Sequence, residues 1–229
     1  ALSAEKRKTA LHDGGLEIVR AGQDIEKLCL ALHHAVKQVM LAEVFTVCLL
    51  TEDGLNVDAP YLYDLGTRNP NTRLPAGAGI TGRVIKSKKS LRIIDAQKSR
   101  GVKPIMVDGA EPTRAILMVP LLAQEKIIGA ISAQSRKTGV YTPEDQIFME
   151  TLASEAAVAF ENARLFEEIR RRLAELEALS QVSVSLTSAI DLQPLLENIL
   201  AGAINAIPAA EKGTIFLTEP DGLLRLQAM

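Results

Sequence analysis

Gly77-Ala78-Gly79-Ile80-Thr81-Gly82 spells G-x-G-x-x-G, and Asp95 follows Gly77 by eighteen residues. In a strand–loop–helix crossover that arrangement holds a dinucleotide. The glycines let the backbone approach a pyrophosphate, and the acid takes a ribose hydroxyl. The surroundings exclude that use here. Asn69 to Pro75 is polar and carries two prolines, so no apolar strand precedes Gly77. Eight residues lie between Gly82 and Leu91, too few for a crossover helix of about ten or more. The glycines read instead as a loop that turns tightly into a short helix, whose N-terminus would favour an anion.

Other reactive side chains are few and scattered. His12, His33 and His34 all lie in the first helical region, and the adjacent pair must point to different faces of one helix. That excludes a metal cluster and leaves Ser132 and Ser135 without a base. Cys29 falls in a helical pattern and Cys48 in a strand. Both read as buried small hydrophobes in a reducing, cytoplasmic protein. Residues 83–103 carry Arg83, Lys86, Lys88, Lys89, Arg92, Lys98, Arg100 and Lys103 against Asp95 alone. Such a run steers a phosphate-bearing ligand, or more commonly forms a solvated face.

The elements that position these residues follow from periodicity. Asp24 caps a helix to about Leu41. Val44–Leu50 and Val57–Leu65 form a hairpin around Asp53-Gly54, with Tyr61 and Tyr63 in alternation on the second strand. Residues 66–78 read as loop, Ile80–Ser87 as helix and Ser90–Ile94 as strand. Residues 95–111 form a long polar loop of lid type, expected to be the most mobile part of the domain. Arg114–Leu122 and Lys126–Gln134 are further strands. Thr142 and Pro143 open a helix free of Gly and Pro to about Ala189. Its apolar stripe runs from Leu152, Ala156 and Ala163 through Phe166, Ile169, Leu173, Leu176 and Leu179 to Leu186. The steps are mostly three and four, as in a coiled-coil seam. Its first turns, to about Phe160, pack on the domain's own sheet. The rest predicts a parallel homodimer through 160–186. Residues 1–23 read as a linker helix interrupted at Gly14-Gly15.

The chain also begins to repeat. The plan from Asp24 to Asp53-Gly54 recurs from Asp191 to Asp221-Gly222, a shift of 167 residues, and then ends at Met229. With Ala1 in place of a starting Met, the expectation is an internal fragment of a tandem array: one whole module and the opening of a second at 191–229. The composition is globular: 47% hydrophobic, 24% charged, no Trp and a net charge of −2. The charge argues against a general nucleic-acid or membrane-surface binder, and no stretch is long and apolar enough for a membrane span.

Several segments in order resemble a GAF domain over about residues 24–170. They are Gly77-Ala78-Gly79-Ile80-Thr81-Gly82-Arg83-Val84, Leu91-Arg92-Ile93-Ile94-Asp95 and Thr113-Arg114-Ala115-Ile116-Leu117-Met118-Val119-Pro120-Leu121. Ile127-Ile128-Gly129-Ala130-Ile131, Tyr141-Thr142-Pro143-Glu144-Asp145 and Glu161-Asn162-Ala163-Arg164-Leu165 complete the set. The resemblance implies an α+β fold: a central antiparallel sheet with helices packed on one side and a ligand pocket on the other, then a helical linker at 171–190. It also implies a regulatory module of a larger signalling protein, such as a sensor histidine kinase or a cyclic-di-nucleotide enzyme, with catalysis elsewhere. The expected pocket is Tyr61, Tyr63, Ile80, Asp95, Arg114, Ile116 and Met118. The tyrosines and Arg114 would orient a ligand of unknown identity, and Asp95 would accept hydrogen bonds.

Family members that bind cyclic nucleotides carry Asn-Lys and Phe-x3-Asp-Glu where this chain has Ser135-Arg136 and Tyr141 with Asp145-Gln146. Bilin, haem and metal lack the expected ligands. Two alternatives remain at this level. One is a dimerisation spacer whose pocket is filled by its own side chains. The other is a methionine-sulfoxide reductase working through a low-pKa cysteine.

Overall fold

The computed structural model describes residues 2–69, 71–99, 112–188, 192–206, 212–218 and 223–228. They divide into two compact units, Ala1–Glu168 and Ile169–Met229. Most of the loop expected at 95–111 lies outside the described residues.

In the first unit, α1 (Leu2–Ala21) and α2 (Ile25–Val39) are followed by β1 (Val44–Leu50) and β2 (Asn56–Asp64). Asp24 caps α2 by accepting from the Glu26 and Lys27 amides at 3.0 and 3.1 Å. Two short strands, β3 (Thr67–Asn69) and β4 (Thr72–Pro75), both pair with β2. The polar, Pro-containing sequence reads there as loop, because each strand is too short to show a period. Then come α3 (Gly79–Ser87), β5 (Leu91–Ile93), β6 (Ala115–Ala123), β7 (Lys126–Ser135) and α4 (Pro143–Ser188). Strand order is β3-β2-β1-β7-β6-β5, with every pair antiparallel.

The sheet is buried on both faces. One face packs Phe45, Val47, Tyr61, Leu117, Val119 and Ile131 against α1, α2 and the start of α4. The other face has two smaller clusters: Ile80, Val84, Ile93, Ile116 and Met118, and Cys48, Val57, Ala59 and Ala76. Thus α3 covers the side that the larger helices leave free. The α+β architecture matches expectation, with α3 as an addition on the second face.

The first helix is continuous across Gly14-Gly15, contrary to the interruption expected there. The reason is close packing. A Cβ on Gly14 would meet the Ala35 Cβ at 2.9 Å and the Leu152 Cδ1 at 3.3 Å. The glycine lets α1 sit against α2 and α4. Arg7 of α1 pairs with Asp145 of α4 at 2.7 Å, so α1 is built into the first unit.

Thr142 and Asp145 form a reciprocal cap for α4. Asp145 Oδ2 accepts the Thr142 N–H at 2.9 Å, and Thr142 Oγ1 accepts the Asp145 N–H at 3.2 Å. The apolar stripe changes character along this helix. Leu152, Ala156, Phe160 and Ala163 are buried in the core, whereas Phe166, Ile169, Leu173, Leu176 and Leu179 are exposed. The side chains of 181–188 lie outside the described residues.

In the second unit, α5 (Leu192–Ala206) precedes an antiparallel hairpin of β8 (Ile215–Thr218) and β9 (Leu224–Ala228). Leu196 and Leu200 are buried against Ile204, Ile215 and Leu217, while Phe216 points outward at 53% exposure. A helix and one hairpin enclose little apolar surface.

Candidate functional site

Strand parity decides which expected pocket residues meet. Ile116 faces Gln134 across β6–β7, and Met118 faces Ser132; Leu91 and Ile93 of β5 face Met118 and Ile116 in turn. Alternation puts Ile93, Asp95, Arg114, Ile116, Met118, Ser132 and Gln134 on one face. Ile80 joins them from α3. Five of the seven expected residues therefore share the α3 side.

Tyr61 and Tyr63 do not. They face Val47 and Phe45 of β1 and lie on the helical side. Tyr61 is buried with its hydroxyl 2.8 Å from His33 Nδ1. His33 stacks on Phe45 at 4.9 Å and tilts against Tyr63 at 4.4 Å. Arg68 lies over the Tyr61 ring at 4.1 Å and Lys37 over Tyr63 at 5.2 Å. These tyrosines serve the core beneath α2. Sequence alternation shows that they share a face; only the register with β1 shows which.

At one end of the α3-side face, Arg114 grips Asp95 with two hydrogen bonds, Nε to Oδ1 at 3.1 Å and Nη2 to Oδ2 at 2.6 Å. The guanidinium bonds hold the Asp95 carboxyl below the usual carboxylate range. Asp95 Oδ1 also accepts the Gln97 N–H at 3.2 Å. Beside this pair runs a polar ladder that the sequence reading missed. Thr113 Oγ1 donates to Gln134 Oε1 at 2.7 Å, and Gln134 Nε2 donates to Ser132 Oγ at 3.1 Å. Ser132 is buried and Gln134 half-buried. Two polar residues at i and i+2 inside an otherwise apolar strand were the available signal.

The glycine-rich segment is a folding device. Gly79 has φ +59, and a Cβ on Gly82 would stand 2.2 Å from the Gly77 carbonyl carbon. The loop folds back onto the first turn of α3 so closely that only glycine fits. Arg83, Lys86, Lys89 and Lys98 of the basic run are exposed. Lys88 Nζ donates to the Glu125 carbonyl, and Arg92 Nη1 to the Tyr141 carbonyl.

The residues matching the cyclic-nucleotide positions hold the fold together. Ser135 Oγ and the Arg136 N–H both donate to Glu43 Oε2 at 2.6 Å, and Arg136 Nη2 donates to Asp64 at 2.9 Å. Tyr141 donates its hydroxyl to the Leu41 carbonyl at 2.9 Å. Both cysteines are buried and lie in different clusters. Burial pushes each thiol up to about 12, the reverse of what a thiolate nucleophile needs. Among the described residues, no group of three His, Cys, Asp or Glu is placed to hold a metal ion, and no helix is long and apolar enough to cross a membrane.

The sequence model of the GAF domain family matches residues 22–161. The chain belongs to the GAF domain family. Domains of this family serve as regulatory small-molecule-binding modules in signalling proteins. The chain is 24% identical over 149 residues to the probable 3',5'-cyclic phosphodiesterase pde-5 of Caenorhabditis elegans. That alignment takes in 65% of this chain and 20% of the relative, so the match is to a small part of a longer protein. Among solved structures, it resembles the GAF domain of the phosphoenolpyruvate-protein phosphotransferase ptsP of Coxiella burnetii. The identity is 17% and the TM-score 0.60, over 72% of this chain and 98% of that one. A putative GAF sensor protein of Burkholderia vietnamiensis aligns with a TM-score of 0.57 and 20% identity, over 72% and 99%. Free methionine-R-sulfoxide reductase of Neisseria meningitidis shares the fold with a TM-score of 0.55 and 16% identity, over 72% and 93%.

Proposed function

We propose that this chain is the sensory part of a larger cytoplasmic signalling protein. Its GAF domain binds a small molecule on the α3 side of the sheet, and the bound state biases α4 within a homodimer formed through residues 160–186. Catalysis belongs to another part of that protein. Residues 191–229 begin a second GAF copy; the order helix, strand, strand in α5, β8 and β9 repeats that of α2, β1 and β2.

The observation that carries this reading is the polar ladder beside the Arg114–Asp95 pair. Ser132, Gln134, Thr113, Arg114 and Asp95 line one sheet face, next to Ile116 and Met118. A face meant only for packing has no use for so many hydrogen-bonding groups. Among the described residues the Arg114 side chain donates to Asp95 alone, which leaves Nη1 for a ligand oxygen. The high thiol pKa of Cys29 and Cys48 supports a binding role over a reductase role.

A second reading has its own support. Ile80, Ile116 and Met118 bury one another almost completely, as a self-filled dimerisation spacer would require. Thermal-shift screening of the chain against a metabolite library separates the two. A compound that raises the melting temperature of the parent, and shifts Arg114→Met much less, supports sensing. A screen in which no compound separates the parent from Arg114→Met supports the spacer.

A further inference from the structure

Core packing accounts for only half of the glycine pair in α1. Glycine weakens a helix interior relative to alanine. Gly14 is needed where α1 approaches Ala35 and Leu152, but a Cβ on Gly15 would meet only the Glu155 carboxylate, with Oε2 at 3.0 Å. Glu155 thus leans over bare backbone. Beside it a cavity of about 660 Å³ opens between α1 and α4. Its floor is apolar: Ile18 is buried, and Leu11 and Ala159 are half-buried. Leu16, Val19 and Val158 stand exposed around it. Four polar side chains line it as well, those of His12, Gln23, Glu155 and Asn162. Among the described residues, no hydrogen bond or ion pair engages any of the four. The cavity belongs to the helical side of the sheet, the face opposite Ile116 and Met118.

We infer that this cavity is a second small-molecule site and that its ligand is an organic cation, a protonated amine carried on an apolar body. The volume falls within the range of about 300–1,000 Å³ usual for such sites, and so does the make-up, an apolar lining with a few convergent polar groups. Charge selects the head group. Glu155 is the one carboxylate on the lining, and no Lys or Arg there answers it. An ammonium has three donors and no acceptor. Glu155 can take one of them in a charge-assisted bond, and the amide oxygens of Gln23 and Asn162 can take the others. An anion of the same shape would meet the Glu155 charge and be repelled. A second copy of this chain fits less well. A two-fold contact sets one surface against itself, and this surface holds no basic side chain with which to pair the partner's carboxylate. Gly15 then has a use: its missing side chain leaves room for the Glu155 carboxylate and for the ligand beneath it. The inference is independent of the α3-side site proposed above.

The test titrates the full chain, labelled with nitrogen-15, with three probes of one shape: 4-phenylbutylamine, 4-phenylbutyrate and 4-phenylbutanol. At neutral pH they are cation, anion and neutral molecule. The amine is expected to shift the amide signals of Gly15, Gly22 and Glu155 saturably, with a dissociation constant of about 1 mM for a ligand of this size. The acid should bind at least about threefold more weakly. Glu155→Gln should weaken the amine by about threefold or more and leave the alcohol unchanged. Gly15→Leu, which improves helix propensity and fills the cavity, should abolish all binding there. Equal affinity for amine and acid in the parent chain overturns the inference without any variant, as does the absence of saturable shifts at these amides. Shifts at Ile116 and Met118 instead would put the amine on the α3 side, which overturns this site and leaves the sensing reading standing. Sedimentation of parent and Gly15→Leu covers the remaining occupant. A dimer lost on that substitution, with no amine shifts in the parent, would assign the cavity to a second copy and overturn the inference.

Discussion

Lowering the pH from 6.5 to 4.5 should destabilise the GAF domain through one buried histidine. Burial, with help from the Lys37 and His34 charges, lowers the His33 pKa from 6.5 to about 4. Tyr61, Tyr63 and Phe45 pack around the ring, and Arg68 lies beyond Tyr61; none of these offers it a negative partner. Between pH 6.5 and 4 the unfolded chain binds a proton at this residue that the folded chain refuses, so stability falls as pH falls through that window. Above 6.5 the contribution is fully present. Below 4 both states are protonated and no more is lost. Two and a half pKa units correspond to about 3.4 kcal/mol in total, of which about 2 kcal/mol falls between pH 6.5 and 4.5. Water entering a locally opened site screens part of this, so a loss of about 1–2 kcal/mol is expected. The depressed carboxylates Glu43 and Asp95 lose their stabilising charge at lower pH and leave this window largely to His33. Urea unfolding at a fixed protein concentration, followed by circular dichroism at both pH values, measures the loss. His33→Gln, which cannot titrate, should flatten the difference to below about 0.5 kcal/mol. Parallel pH profiles for parent and variant, or an NMR titration of His33 near 6.5, would refute the reasoning.

Two further outcomes follow from the packing. Gly82→Ala places a Cβ 2.2 Å from the Gly77 backbone and should cost about 2–3 kcal/mol in urea unfolding. Gly77→Ala, where a Cβ meets nothing within 4 Å, should stay within about 0.5 kcal/mol; equal effects would show that the loop does not press on α3. Replacing Leu173 and Leu176 together with Glu should give monomers by sedimentation while the GAF domain keeps its thermal transition. A dimer that survives both charges would place the interface elsewhere.

The parts of this fold that were legible in the sequence are those that recur with a period or carry a cap. Asp24 and Thr142 begin their helices where side-chain oxygens can take the free amides, and β6 and β7 announce themselves by apolar runs that include Ile116, Val119, Ile127, Ile128 and Ile131. The short β3 and β4 escaped because three or four polar residues have no period; they exist as strands only because β2 offers an edge. The site was half legible. Ile116 and Met118 alternate on β6 in phase with Arg114, the residue just before it, so finding one finds the others. Tyr61 and Tyr63 alternate equally well, but the face they occupy is set by pairing with β1. His33, the hydrogen-bond partner of Tyr61, sits 28 residues away along the chain.

The same alternation defines how sensing would have to work. Ile116 and Met118 touch the α3 side, while Leu117 and Val119, their neighbours on β6, lie in the core shared with Leu152 and Ala156 of α4. A ligand that shifts β6 therefore shifts the surface on which α4 rests. The start of α4 cannot follow freely. Thr142 and Asp145 cap each other, Arg7 holds Asp145, and Tyr141 is tied to the Leu41 carbonyl. A helix fixed at its first turn and pressed along its buried face can tilt or rotate more easily than it can slide. In the homodimer proposed above, such a rotation turns the exposed apolar side chains of α4, Phe166 among them, relative to the second copy, and a two-state output requires a differential contact of that kind.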